Sequence, residues 1–230
     1  MNQQLVNPAE SNERAFRNMA MSCYGYGRWA APYWFIGPEQ GQAPKEKNDL
    51  KARSKAWCDL GATELCDCEE FHVAINEHSW HREGKLQRTW RPLILLLLTF
   101  LNKPADKDNL RRYQRHEWGR IDGETCVIEL SGLAANNITI PRDRETFRKQ
   151  RIEAIRMRML ENRPRLVVMY GATQKPNWDE IANNTFPPDN ILISNETVMT
   201  VTPHPVAHGL KNSYWEKLGR DLRSLRFNQG

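Results

Sequence analysis

Short apolar runs separated by longer polar and charged segments are the main pattern along this chain. Four of these runs have the length of β-strands, at residues 33–36, 125–130, 165–170 and 198–202, and a shorter candidate lies at 190–194. The run at 165–170 is almost continuously apolar, which is typical of a central parallel strand covered on both faces. We therefore expect a central, mainly parallel four-stranded sheet.

Helical spacing of apolar residues fills most of the intervals between the predicted strands. It predicts helices near 13–21, 49–57, 84–101, 142–163 and 213–225. In the third, Pro92 either kinks the helix or starts its second half. In the fourth, the predicted buried face is formed by Ile152, Ile155, Met159 and Leu160. Alternating strands and helices predict a three-layer α/β/α fold. We expect one domain, residues 1–230, with a helical insertion at about 42–118.

Composition describes an ordinary globular protein: of 230 residues, 40% are hydrophobic and 27% are charged. The polar start lacks the apolar segment of a secretory signal. The longest apolar run, 93–101, is far shorter than the roughly 20 residues that span a bilayer. We expect a cytoplasmic monomer without a membrane partner, and its five cysteines as free thiols.

Basic residues exceed acidic ones, 33 to 28, which gives a net charge of +5 and a pI near 9.0. This balance favours an anionic partner such as nucleic acid without requiring one. One basic run either contacts phosphates or forms a solvated helix face; it consists of Arg111, Arg112, Arg115 and Arg120.

Two strand ends carry residues that suggest chemistry. The first strand runs into Gly37-Pro38-Glu39-Gln40-Gly41, and the last runs into Pro203-His204-Pro205. In an open parallel sheet, the turns after the strands line the crevice in which ligands bind. If both strands are central, Glu39 and His204 face each other across one cleft. The alternatives are a turn residue that caps the next helix for Glu39, and a histidine bonded to backbone for His204.

These two motifs resemble those of the uracil-DNA glycosylase superfamily. Between them lies an apolar strand that ends in glycine, Leu166 to Gly171, and aromatic and basic residues follow the His-Pro motif at 212–218. Two features depart from the family pattern. The first turn has proline in second place and glutamate in third, and residues 42–118 have no obvious counterpart.

The resemblance implies a monofunctional DNA glycosylase that hydrolyses the N-glycosidic bond of a damaged or modified base. Uracil is the family default, and the departures make a modified pyrimidine plausible, including one in foreign or phage DNA. Glu39 is the expected catalytic carboxylate, which stabilises positive charge on the sugar and positions a water molecule. His204 is expected to donate a hydrogen bond to the departing base.

A glycosylase must take its base out of the stack, so the resemblance also implies a base pocket and a DNA-binding loop. The predicted substrate-binding residues are Gly37, Gln40, Ser131 and Asn137, although Asn137 is equally typical of a turn. Residues 204–211 resemble the family's minor-groove loop. In that loop the predicted DNA-binding residues are His208, Leu210 as a wedge, and Lys211 on a phosphate; an ordinary surface loop is the alternative.

Several cysteines and histidines lie close together in the sequence: Cys58, Cys66, Cys68, His72, His78 and His81. Their spacing lacks the Cys-x-x-Cys pairs of structural zinc sites. It also differs from the four-cysteine iron–sulfur pattern of some members of the superfamily. We therefore expect no metal or cofactor, with buried thiols and surface histidines. The tryptophans 80, 90 and 118 are expected in the core or a lid.

Two other functions compete with the glycosylase. One is a non-catalytic nucleic-acid-binding module of the same fold. The other is a hydrolase that uses Ser131 with His204, but Ser131-Gly132 does not have the pattern of a nucleophile elbow.

Overall fold

A mixed, open β-sheet forms the centre of the molecule. The computed structural model describes residues 8–39, 47–131 and 141–227. In those ranges the strands are β1 Gly25–Gly27, β2 Tyr33–Glu39, β3 Leu65–Cys66, β4 Thr125–Ser131, β5 Leu166–Tyr170, β6 Ile191–Ser194 and β7 Thr197–Thr202. Their order across the sheet is β3-β1-β4-β2-β5-β7-β6. The α/β class is confirmed, and the sheet has seven strands rather than four.

Eight α-helices surround the sheet in the same described ranges. They are α1 Pro8–Ser22, α2 Lys47–Asp59, α3 Cys68–Ala74, α4 Trp90–Phe100, α5 Lys107–His116, α6 Pro141–Asn162, α7 Lys175–Ala182 and α8 Asn212–Phe227. Two single turns of 3-10 helix occur at His78–Trp80 and Ala172–Gln174. None of the helices described is long and apolar enough to cross a membrane.

Strands β4, β2, β5 and β7 are neighbours and run parallel. Phe35 lies between Val127 of β4 and Val168 of β5, and Val168 is paired with Thr200 of β7. Because the four strands share one direction, their carboxyl ends lie along the same edge of the sheet. The outer strands make the sheet mixed, since β1 is antiparallel to β4 and β6 is antiparallel to β7. Strands β1 and β3 are too short to show a period-two pattern, which is why the sequence did not predict them.

Helix α4 is buried because it is apolar on all sides. Residues 93–98 are all at most 2% exposed, and α8 packs directly against them. A Cβ on Gly219 of α8 would lie 2.6 Å from the Leu96 carbonyl oxygen, so glycine permits this close approach. The helix begins at Trp90 rather than near residue 84. Pro92 therefore lies in the first turn, where no hydrogen bond is lost.

Helix α6 covers the opposite face of the sheet together with α7. Ile152, Ile155 and Met159 are buried there as predicted. Leu160 is 48% exposed, so its predicted place in the core is wrong. It follows Met159 directly, about 100° further round the helix, and this rotation turns it towards solvent.

The segment from 47 to 118, predicted as an insertion, supplies much of the core on the α4 face. It contributes Trp57, Phe71, Leu110 and Trp118 to the same hydrophobic cluster as β2 and β5.

Candidate functional site

The strand-end edge is formed by the carboxyl ends of β4, β2, β5 and β7, and four of the predicted site residues belong to it: Gly37, Glu39, Ser131 and His204. Strand β2 ends at Glu39, β5 at Tyr170, and His204 follows β7 by two residues. Neighbouring strands are about 4.8 Å apart, so the β2 and β7 ends are separated by roughly 10 Å. The end of β5 lies in that gap.

Tyr170 lies at the base of this gap, and its ring explains why position 37 is a glycine. A Cβ on Gly37 would lie 2.1 Å from the Tyr170 hydroxyl oxygen and 2.3 Å from Cζ, so only glycine admits the phenol here. Tyr170 is 4% exposed. Burial and the charge of Glu129 raise the pKa of the Tyr170 phenol well above its ordinary value, which keeps it protonated.

Glu129 is a candidate site residue that was not predicted from the sequence. It lies in β4 beside Gly37, with 9% of its surface exposed. Its signal in the sequence is a single charge within the apolar run from Cys126 to Leu130. Carboxylates are rarely buried without a specific environment, so such a residue marks a candidate site.

A buried arginine binds backbone carbonyl groups near the strand-end edge. Arg151 of α6 donates to the carbonyl oxygens of Ala20 at 3.2 Å, Cys23 at 2.9 Å and Glu129 at 2.6 Å. Its guanidinium lies 4.3 Å from the centre of the Tyr24 ring. Burial lowers the pKa of Arg151 from its ordinary value. These bonds join the end of α1 to the end of β4.

His204 stands against Tyr170, with ring centroids 5.6 Å apart and an interplanar angle of 75°. Its Nδ1 accepts a hydrogen bond from the Val206 N–H at 3.4 Å, which places the proton of the neutral ring on Nε2. Burial lowers the pKa of His204, so the ring is neutral at pH 7. The hydrogen bond to backbone that was the alternative prediction for His204 is therefore present. It leaves Nε2–H of the neutral ring free to donate.

Three of the predicted substrate and catalytic groups lie outside the part of the molecule that is described. The backbone of Glu39 ends β2 and is paired with Ser131, but its side chain is outside the description. Gln40 and Asn137 belong to ranges that are not described at all.

Ser131 is not placed for the hydrolase hypothesis. It is 3% exposed and lines a small cavity of about 20 Å³ with Met19, Cys23 and Tyr24. Strands β2 and β5 lie between β4 and β7, so Ser131 and the strand that leads to His204 are about 14 Å apart. That separation disfavours a hydrogen bond between Ser131 and His204, and with it the hydrolase alternative.

A groove begins beside His204 and runs between α4, α5 and α8. This loop groove has a volume of about 810 Å³, and its lining includes Pro205, Val206, Ala207 and Leu210. Leu210 packs half-buried against the core, whereas Val206 is 44% exposed. Val206, which the sequence did not single out, is therefore the apolar side chain that projects from this loop. His208 and Lys211 are exposed, which fits both the predicted DNA-binding loop and an ordinary surface loop.

Cations around the loop groove slightly outnumber acids. Three of its lining residues are basic and two are acidic: Arg88, Arg91 and Lys107 against Asp106 and Glu216. The basic run around α5 is largely used within the molecule. Arg111 pairs with Asp108 at 3.2 Å, Arg120 pairs with Asp67 at 3.0 Å, and Arg115 donates to the Arg82 carbonyl at 3.2 Å.

Cys68, His72 and His81, here called the Cys68 cluster, lie on the other side of β4, near β1. All three are buried, so the predicted surface position is wrong for both histidines. Burial raises the pKa of the Cys68 thiol well above its ordinary value and lowers the pKa of His72 to about 3. The pKa of His81 is also lowered by burial.

The tryptophans around the cluster lie mostly in the core, as predicted. Trp90 and Trp118 are buried, and Trp80 is half-buried against the His72 ring.

Comparison of the chain with protein-family models found no match, and comparison with curated proteins found none either. The evidence for function is therefore the geometry of the strand-end edge.

Proposed function

We propose that this protein is a monofunctional DNA glycosylase that acts on a damaged or modified base, with uracil and modified pyrimidines as the first substrates to test. A domain of the glycosylase type, in three layers around a sheet whose four central strands are parallel, is part of this proposal. So is DNA as the partner.

The observation that carries the proposal is the position of His204 across the end of β5 from the end of β2. Glycosidic cleavage needs a carboxylate near the sugar and a donor near the departing base. The two strand ends are roughly 10 Å apart, a span comparable to the length of one nucleoside.

The protonation of His204 matches the role of a donor. The departing base gathers negative charge on its ring oxygens as the glycosidic bond breaks. Nε2–H of a neutral imidazole stabilises that charge by a hydrogen bond and needs no change of protonation. Tyr170 fixes the ring by its edge-to-face contact.

The loop groove supplies a surface for the DNA strand. It starts at Pro205, next to His204, and its basic residues can neutralise phosphates. Exposed Val206 is positioned as the wedge that fills the gap left by a flipped base.

The test is incubation of the purified protein with labelled oligonucleotides that carry uracil, hypoxanthine, or modified and glucosylated cytosines, followed by alkali. We expect alkali-sensitive breaks at one kind of base. The breaks should be lost in Glu39→Gln and reduced about 100-fold or more in His204→Ala, which removes the donor.

Glu180→Gln and His116→Ala are the matched controls, because both residues are exposed and lie on helices away from the strand-end edge. Both should keep full activity. An absence of breaks with every base, together with salt-sensitive DNA binding, would replace the glycosylase by the binding module.

A further inference from the structure

The Cys68 cluster has no role in the proposed reaction, yet its three side chains converge. Cys68 and His72 lie one turn apart on α3, and His81 comes from the chain just after the His78–Trp80 turn. Their exposed fractions are 0%, 3% and 1%. The sequence spacing does not reveal this group, because His81 comes close to Cys68 and His72 only when α3 packs against the His78–Trp80 turn.

The distances within the cluster are close to those of a tetrahedral metal site. Cys68 Sγ lies 3.6 Å from His72 Nδ1 and 3.9 Å from His81 Nε2, and the three atoms are all within 4.8 Å of one another. With zinc bonds of about 2.3 Å to sulfur and about 2.05 Å to nitrogen, neighbouring ligand atoms are about 3.6 Å apart for sulfur and nitrogen. Small side-chain adjustments therefore bring all three onto one ion.

We propose that Cys68, His72 and His81 bind a zinc ion that holds α3 against the His78–Trp80 turn. One thiolate and two imidazoles suit zinc, whereas calcium and magnesium prefer oxygen ligands. The inference is independent of the glycosylase proposal.

The binding of zinc by this cluster should release one proton. In the metal-free protein, His72 Nδ1–H donates to the Cys68 carbonyl oxygen at 2.6 Å. On binding, this proton leaves Nδ1 while Nε2 takes one up, and His81 carries its proton on Nδ1. The Cys68 thiol loses its proton to solvent as the sulfur–zinc bond forms. Each zinc ion therefore releases one proton at neutral pH.

The carboxylates on either side of Cys68, Asp67 and Glu69, are committed elsewhere and do not complete the site; Glu69 pairs with Arg120. Asp67 Oδ1 accepts from the Glu69 and Glu70 N–H groups at 3.0 and 3.1 Å, which caps α3. Its Oδ2 accepts from the Ile121 N–H at 3.1 Å and pairs with Arg120 at 3.0 Å. Among the described residues the group contains only Cys68, His72 and His81, so the fourth position of the ion is left for water.

Aromatic side chains enclose the cluster and favour a structural role. The His72 ring lies 5.1 Å from the Tyr26 ring, 5.1 Å from Trp80 and 5.4 Å from Trp90, centre to centre. The ion would bind His81 through Nε2, while His81 Nδ1 has no hydrogen-bond partner in the described part of the molecule. A zinc-bound imidazole usually donates from its other nitrogen, so this proton needs an acceptor such as a trapped water.

The test uses the full chain, stripped with a chelator and titrated with Co²⁺, which shows thiolate charge-transfer bands when it is bound by sulfur. We expect one Co²⁺ per chain with such a band, its displacement by one Zn²⁺, the release of one proton per ion, and a higher Tm with Zn²⁺. The band should disappear in Cys68→Ser, and tight binding should be lost in His81→Gln.

Cys58→Ser and His78→Gln are the matched controls, since they change an exposed thiol and a half-buried histidine of the same segment. Both should bind like the wild type. Folded wild-type protein that gives no thiolate band with Co²⁺ overturns the proposal, even if the variants fail to fold. An unchanged band in Cys68→Ser overturns it as well.

Discussion

The strand-end edge and the Cys68 cluster place polar groups in opposite ways. At the edge, His204 is half-buried and held by one ring contact and one backbone bond, above a rigid floor of Tyr170 and Gly37. In the cluster, the polar side chains are themselves buried and pack among aromatic rings. At the edge, the side chain proposed for chemistry is therefore distinct from the residues that stabilise the fold. In the cluster, the same side chains would bind the ion and form part of the core.

The free energy of unfolding tests this contrast directly. Substitutions beneath the edge should be costly, substitutions in the metal-free cluster should cost less, and substitution of His204, the proposed donor, should cost least.

The largest loss is expected for Arg151→Met. The methionine keeps the packing of the aliphatic stem but leaves the carbonyls of Ala20, Cys23 and Glu129 without their donor. Buried acceptors without partners cost about 1 kcal/mol or more each, so we expect a loss of about 3 kcal/mol in urea denaturation. Arg156→Met, on the same helix, removes a surface ion pair with Glu153 and should have a far smaller effect. Equal losses in the two variants would show that Arg151 does not hold α1 to β4.

A smaller loss, about 2 kcal/mol, is expected for Gly37→Ala, because its Cβ collides with the Tyr170 ring. Tyr170→Phe in the same background should give no relief, since Cζ remains 2.3 Å from the new Cβ. Tyr170→Ala should remove the collision, so the double variant should be more stable than the sum of the two single losses predicts. Simple additivity by urea denaturation would contradict the proposed contact.

The strands of the edge were predictable because each is a single apolar run that ends in turn residues. Tyr33 to Ile36 and Leu166 to Tyr170 show this, and both strands are buried on the two faces of the sheet. The role of Tyr170 was not predictable, because it depends on the neighbouring strand lacking a side chain at Gly37. The same holds for His81, whose partners are fixed by tertiary packing and not by sequence spacing.

Next in size is His81→Leu, measured in the presence of a chelator. The leucine removes the buried Nδ1 that has no partner in the described residues and keeps a similar volume. We expect a change within about 1 kcal/mol of zero in urea denaturation, because an apolar group relieves an uncompensated polar one. His72→Leu should cost more, since it loses the bond to the Cys68 carbonyl. A loss above about 2 kcal/mol for His81→Leu would make the cluster a stabilising network without metal.

The smallest change is expected for His204→Ala, which should alter stability at pH 7.5 by no more than about 0.5 kcal/mol. The difference in the free energy of unfolding between the variant and the wild type should then depend on pH. Because burial lowers the pKa of His204 in the folded protein, the unfolded chain binds the proton first as the pH falls below about 6.5. The wild type thus loses stability in acid that the alanine variant keeps, so the variant should gain relative to the wild type between pH 7.5 and pH 5. Urea denaturation at the two pH values measures this. A relative loss by the variant in acid would mean that His204 is charged in the folded protein, and the neutral donor at the strand-end edge would have to be abandoned.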